Sequence, residues 1–362
     1  MHMKLKLKLF IFSLVISFSG FAQQYPQFSQ YMVNKFLYNP AFAGYEDYVD
    51  LKAGYRSQWL GLGIPNNSFY LTAHGAIDKT DHTSDGPTPN ISKTIRHPHS
   101  PTRIRPDTHK SPFHQGLGAQ LLADKFGQIE TINVGLTYAY HLSLGGEKKF
   151  SFGTTFGFGQ VLLDNTGGFF NYISPTGIDF NRNFINNDPI LMVNSRVKGN
   201  QSVVNLGALY YTRNYYIGFS SIWPILNTVN YSLGKSAPAE ANAPYGELNK
   251  LYAVQIGIIK RISDEIKLYP AALVKYSSLG NIVPELNMRV NYQDLVWAGA
   301  SYRHKESIGL MAGMNLSNTM NFSYSIDLSK NNPIRENLIS HELIIGILLR
   351  GRFMPKNTLY NQ

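Results

Sequence analysis

The sequence predicts an all-β protein: a transmembrane antiparallel β-barrel of about fourteen strands, preceded by a short N-terminal helical plug or lid. Three observations carry this expectation. First, from just after Gly44 to Phe353, apolar and polar residues alternate with period two, in runs of about ten residues, the length a tilted membrane strand needs. Second, aromatic residues make up 13% of the 362-residue chain, with 23 Tyr and 21 Phe, against only 15% charged residues. That balance suits a barrel with interfacial aromatic girdles better than a soluble enzyme. Third, no apolar stretch is long enough to cross a bilayer as a helix, so an exported chain with one apolar strand face must close its sheet on itself. A soluble antiparallel sandwich would also alternate, but it does not need strands this long and would leave its polar faces outside.

The first 22 residues read as a secretory signal peptide. Lys4, Lys6 and Lys8 precede an apolar run over 9–18, and Gly20 and Ala22 supply the small residues of a cleavage site. The mature chain is expected to begin at Gln23. Cleavage removes three of the lysines behind the formal charge of +10, leaving a mildly basic protein suited to anionic lipid or polysaccharide and giving no case for nucleic acid. The chain has no cysteine, which excludes a cysteine-linked lipid anchor, disulfides and thiol chemistry.

Residues 23–44 break the strand pattern. Phe28, Tyr31, Met32, Lys35 and Phe36 recur at helical spacing, Ser29 can cap a helix, and Pro40 forbids its continuation, so a short helix is expected. Its many aromatics need a surface to cover. The candidates are a periplasmic plug or lid on the barrel mouth, carried by Tyr25, Pro26, Phe28, Ser29, Gln30, Tyr31, Met32, Asn34, Phe36, Asn39 and Pro40, or a plain linker against the first strand.

The barrel is expected over 45–353, with a C-terminal tail at 354–362. Strands are read at 49–56, 68–77, 115–123, 132–143, 150–159, 203–212, 215–223, 251–262, 266–276, 282–292, 295–303, 307–316, 319–328 and 342–353. In the fourth, Ile132, Val134, Leu136, Tyr138 and Tyr140 share one face and Asn133, Gly135, Thr137, Ala139 and His141 the other, so one side suits lipid and the other water. With both termini periplasmic, the long stretches 163–201 and 224–250 fall outside the cell and most periplasmic turns are short, the asymmetry membrane barrels show. Phe169, Phe170, Asn171, Tyr172, Asn227, Asn230 and Tyr231 are the expected partner contacts on those outer loops.

One connection, 78–113, breaks the asymmetry, because parity makes it periplasmic although it is long. Six prolines deny it regular structure, and Lys93, Arg96, Arg103, Arg105 and Lys110 make its second half basic, suited to acidic periplasmic partners. It also carries His82, His97, His99 and His109. Isolated histidines among prolines are more often solvated than metal-bound, so no metal is expected.

Nothing in the chain reads as catalytic. There is no His-Glu-x-x-His box, no phosphate-binding loop and no nucleophile elbow, and His141 with Ser143 is too generic a pair to mark a site. No cofactor is expected. Arg261, Lys267, Lys275, Glu285, Arg289, Arg303, Asp327, Glu342 and Arg350 fall on expected lumen positions, where charges form either a structural network or a pore lining.

The opening stretch from Gln24 to Gly44 resembles the start of the PorP/SprF family of type IX secretion outer-membrane proteins, with Tyr25 and Val33 departing from it. The likeness continues in order through Arg56-Ser57-Gln58-Trp59, Gly116-Leu117-Gly118, Asp124, Gly127, Tyr138-Ala139-Tyr140, Phe152-Gly153, Tyr269-Pro270, Tyr324 to Asp327 (where Ile326 departs) and Ser340-His341-Glu342. The resemblance implies a non-catalytic protein in the outer membrane of a Gram-negative cell. It would support export or surface anchoring of one large substrate with a C-terminal sorting domain in secretion and gliding. The implied partners are outer-membrane lipid, that C-terminal domain and other secretion components, periplasmic lipoproteins among them. The alternative is an outer-membrane porin or solute transporter.

Overall fold

The computed structural model describes residues 26–46, 48–60, 65–77, 113–164, 196–231, 250–278, 280–317, 319–329 and 338–349. The strand segments are β1 (Val49–Leu60), β2 (Asn66–Ile77), β3 (Phe113–Phe126), β4 (Ile129–Ser143), β5 (Lys149–Asp164), β6 (Arg196–Tyr211), β7 (Tyr215–Tyr231), β8 (Leu251–Ile258), β9 (Lys260–Arg261), β10 (Ile266–Ser277), β11 (Ile282–Tyr292), β12 (Val296–Arg303), β13 (Ser307–Asn315), β14 (Met320–Ser329) and β15 (Leu338–Leu349). Both β8 and β9 pair with β10, so they are one strand interrupted at Ile259. Every pairing is antiparallel and sequential, β10 joins β11, and β15 returns to β1 with Val49 opposite Leu349. The sheet is therefore a closed barrel of fourteen strands.

Alternation explains the wall. On β4 and β5 the outward residues include Leu136 at 68% exposure and Phe158 at 72%, and on β13 Leu310 at 66%, values a water-soluble surface does not carry in a continuous belt. The inward neighbours are polar and buried, among them Thr72, His74, Thr137, Ser151, Thr155, Gln255 and Asn287. Aromatic residues mark both ends of the belt: Phe113 stacks on Tyr140 near one rim, and Tyr252 stacks on Tyr276 near the other.

The upper rim is the end that carries the β12–β13 turn, and the lower rim carries the β6–β7 hairpin. Strands β5, β6 and β7 reach five to eight residues farther toward the upper rim than the sequence suggests. The expected contacts consequently lie within β7 and not in a loop: Asn230 and Tyr231 pair with Lys198 and Val197 of β6, and Asn227 is the extra residue of a bulge. Past the apolar belt the alternation loses its hydrophobic half, since the outward residues of β6 become Ser202, Asn200 and Lys198, and so the strand signal fades. The last strand begins four residues earlier than expected, because inward Leu338, Ser340 and Glu342 continue its pattern upstream. Tyr25, Phe169, Phe170, Asn171, Tyr172 and Arg350 lie outside the described residues, as do the leader, the connection 78–112 and the C-terminal tail.

Residues 26–46 form no α-helix. They hold a turn closed by Val33 N–H to the Gln30 carbonyl at 2.9 Å and two three-residue 3-10 turns, Lys35–Leu37 and Pro40–Phe42. Ser29, the side chain expected to cap a helix, bonds to Asp327 instead, and Asn34 donates to Thr72. Asn39 caps the second turn, its side-chain oxygen accepting from Ala41 N–H at 2.9 Å, while its amide donates to the Phe219 carbonyl on the wall. A short helix gains little by itself in water, so partners on the wall decide its conformation.

Candidate functional site

The segment 26–46 lies inside the closed sheet, against inward-facing residues, and forms a strap along the lumen. Its upper end enters a knot of charge. Arg56 of β1 sits between two carboxylates, with Nη2 2.8 Å from Asp327 Oδ2 on β14 and Nη1 3.1 Å from Glu342 Oε2 on β15. Ser29 completes the knot, its N–H donating to Glu342 at 2.6 Å and its hydroxyl bonding Asp327, and Arg56 also reaches that hydroxyl. Gln30 donates to the Glu342 carbonyl at 3.0 Å. Beside this, Arg303 of β12 pairs with Glu285 of β11 at 3.0 Å and donates to the Phe28 carbonyl at 3.4 Å, and Gln27 reaches Glu306 in the β12–β13 turn at 3.5 Å. Charges this deeply buried stand only because each carries an opposite partner and further hydrogen bonds.

Midway, Asn34 donates to Thr72 at 2.9 Å and Phe36 packs on the His74 ring at 4.7 Å between centroids. Toward the lower rim the wall grips strap backbone. Ser151 donates to the Ala41 carbonyl at 2.9 Å, His141 bonds the Ala43 carbonyl at 2.7 Å, and His114 bonds that of Gly44 at 3.2 Å. The Asn39 amide donates to the carbonyls of Ala208 and Phe219 at 3.3 and 3.2 Å. Small residues let the strap come this close: a Cβ on Gly116 would land on the Ala43 carbonyl, and one on Gly153 on the Pro40–Ala41 backbone. Lys35 lies over the rings of Phe42, Tyr45 and Tyr216 at 5.0 to 5.5 Å. The strap therefore touches the wall from the β12–β13 turn to Tyr45, whose ring meets Tyr211 at the start of the β6–β7 hairpin. It follows the length of the lumen, whereas the sequence suggested a lid at one mouth.

Of the expected lumen charges, Lys275, Glu285, Arg289, Arg303, Asp327 and Glu342 face the interior. Among the described residues Arg289 pairs with no carboxylate, and it rests on Tyr269 at 4.4 Å and Trp297 at 5.3 Å. Lys267 pairs with Asp294 at 2.5 Å near the lower rim. Arg261 is a correction: its side chain is 62% exposed and lies near Asp264 at 3.9 Å, because it follows the break at Ile259 and clears the packed interior. Sequence reasoning missed Arg56, the cation at the centre of the knot, together with Asp50, Lys52 and His74. The polar phase of β1, which runs Asp50, Lys52, Gly54, Arg56, was the available signal.

The site grips the chain's own backbone through wall side chains whose polar atoms are already engaged. Both ring nitrogens of His141 are engaged, one by Ala43 and the other by the Tyr211 hydroxyl at 2.9 Å, and no group of three metal-ligating side chains forms among the described residues. A family model described as type IX secretion system membrane protein PorP/SprF matches residues 20–347. The chain belongs to the PorP/SprF family. This PorP/SprF barrel is accordingly an outer-membrane component of a Gram-negative secretion system, in a family not known for enzymes.

No curated protein matches the sequence. Among solved structures, the CymD monoaromatic hydrocarbon channel is similar over 92% of this chain and 96% of its own, at 12% identity and a TM-score of 0.46. The Pseudomonas putida toluene transporter TodX covers the same shares at 10% identity and TM-score 0.43. The translocator domain of autotransporter NalP from Neisseria meningitidis matches 84% of this chain and 88% of its own, at 11% identity and TM-score 0.41.

Proposed function

We propose that this PorP/SprF protein is a closed, non-conducting barrel that supports export or surface anchoring of one cognate large substrate bearing a C-terminal sorting domain. The observation that carries the reading is the strap, which fills the lumen along its length with buried rings and paired charges. A diffusion channel needs an open polar path, and a filled one leaves the barrel as a platform. In this reading the leader directs export, both termini are periplasmic, and the upper rim faces the cell exterior, where the outer connections meet the substrate. The apolar belt lies in outer-membrane lipid, the basic 78–113 connection meets acidic periplasmic partners such as lipoproteins of the machinery, and the pathway serves surface proteins and gliding.

Removing residues 25–39 is expected to produce discrete conductance steps in planar bilayers where the full-length barrel gives none. A full-length protein that conducts like an open porin would favour the porin or transporter alternative and end this reading. In cells, trimming the outer connections 165–195 and 232–249 together is expected to abolish surface retention of the substrate, while the barrel stays heat-modifiable on gels. Undiminished retention would remove the connections from the docking account.

A further inference from the structure

We infer that the lower mouth of the lumen holds an oxyanion site, in which Lys35 of the strap and Arg289 of β11 take a carboxylate or phosphate group between them. The inference adds a ligand to the barrel and does not rest on which substrate the barrel serves.

Both cations stand on aromatic rings. Lys35 lies over three of them, the nearest being Tyr216 at 5.0 Å, and Arg289 lies over Tyr269 at 4.4 Å and Trp297 at 5.3 Å. The wall brings these rings side by side. The Tyr216 ring covers Gly257 of β8, where a Cβ would land on it, and Gly257 pairs with Ala271 of β10. Two residues from Ala271 on the same face is Tyr269, which pairs with Arg289. Arg289 is accordingly near enough for its charge to act on Tyr216 and on Lys35. Tyr216 follows the β6–β7 hairpin and Trp297 follows the 293–295 turn, so the group lies just inside the lower rim. The rings are buried, whereas Lys35 and Arg289 are partly exposed, so the charged groups are the part a solute can reach.

Charge balance sets this pair apart. Near the upper rim Arg56 has Asp327 and Glu342, and Arg303 has Glu285. Toward the lower rim Lys52 holds Asp50 and Lys267 holds Asp294. Among the described residues Lys35 and Arg289 have no such ion pair, and Arg289 Nε and the Tyr216 hydroxyl are buried without a hydrogen-bond partner. Of the carboxylates whose charge acts on Lys35, Asp50 is engaged by Lys52, which leaves one, Glu46, against two cations. Like charges held together away from bulk water repel, and an anion between them relieves the repulsion while supplying both with a partner. A neutral solute would leave the surplus in place and a cation would add to it. The guanidinium fork matches two oxygens of a carboxylate or phosphate, and the ammonium and the Tyr216 hydroxyl offer further donors.

The test uses the full-length barrel in detergent, with inorganic phosphate and acetate as probes and sodium chloride at equal ionic strength as the reference. Binding is read as the rise in the temperature of heat-modification with probe concentration and, for the unaltered barrel and Lys35→Gln, as a change in tryptophan emission, since Trp297 lies beneath Arg289. At least one probe is expected to act saturably above the chloride reference. Arg289→Gln and Lys35→Gln should each weaken that probe about tenfold or more, while Lys305→Gln, an exposed cation in the β12–β13 turn, should change it less than about twofold. Saturation by phosphate alone supports the site with a phosphate-bearing ligand, by acetate alone with a carboxylate-bearing one, and by both with either. If Arg289→Gln fails to fold, Lys35→Gln decides, because its side chain is partly exposed on the strap. No saturation by either probe, or saturation unchanged in Lys35→Gln, overturns the site and leaves the closed barrel as it stands.

Discussion

Arg56→Ala is expected to destabilise the barrel by about 3–5 kcal/mol, the cost of leaving buried carboxylates without their cation. Asp327 and Glu342 are 2% and 1% exposed and both face Arg56, so neither can recover its hydration when the guanidinium goes. The substitution also removes a donor to Ser29, and so loosens the strap from its upper anchor. Denaturant unfolding in detergent, read by the heat-modifiable gel shift, measures the change. The combined variant Arg56→Met, Asp327→Asn, Glu342→Gln should recover much of the loss, because it removes the buried charges with their partner. An Arg56→Ala barrel within about 1 kcal/mol of the original would mean that the knot is solvated and not buried, since exposed pairs contribute only that much.

Gly153→Leu is expected to expel the strap or prevent assembly. The added Cβ would occupy the position of the Pro40 and Ala41 backbone, which cannot rotate away as a side-chain tip can, and overpacking of a softer core already costs about 1–3 kcal/mol. Protein that does assemble should conduct in planar bilayers as the strap deletion does. Ala312→Leu, on the outer face of β13, places the same bulk against lipid and should leave folding and conductance unchanged. A Gly153→Leu barrel that folds normally and stays closed would show that the strap does not pass this wall.

The wall was legible in the sequence because each strand residue meets one of two environments, so Leu136 beside Thr137 or Leu286 beside Asn287 announces its side of the sheet. All fourteen strands follow from that two-phase signal. The upper parts of β5 to β7 were not legible, because beyond the lipid both faces can be polar or small. The strap was half legible: its aromatics marked a buried segment, but its conformation depends on partners far along the chain, such as Glu342, 313 residues from Ser29. Arg56 was hidden for the same reason, since its partners arrive only when β15 closes on β1. Arg261 was misplaced because nothing local marks the interruption at Ile259, which is set by its bond to Asn214 across the wall.

Disulfide trapping tests the position of the strap most directly, because the chain has no cysteine of its own. Asn34 and Thr72 touch at 2.9 Å, and Thr137 and Thr155, hydroxyls 2.6 Å apart on neighbouring strands, provide a control within the wall. The double variant Asn34→Cys, Thr72→Cys is expected to cross-link in the outer membrane as completely as Thr137→Cys, Thr155→Cys, and to keep the barrel closed to ions. A control pair that cross-links while the strap pair stays reduced would place residues 26–46 outside the lumen and contradict the account.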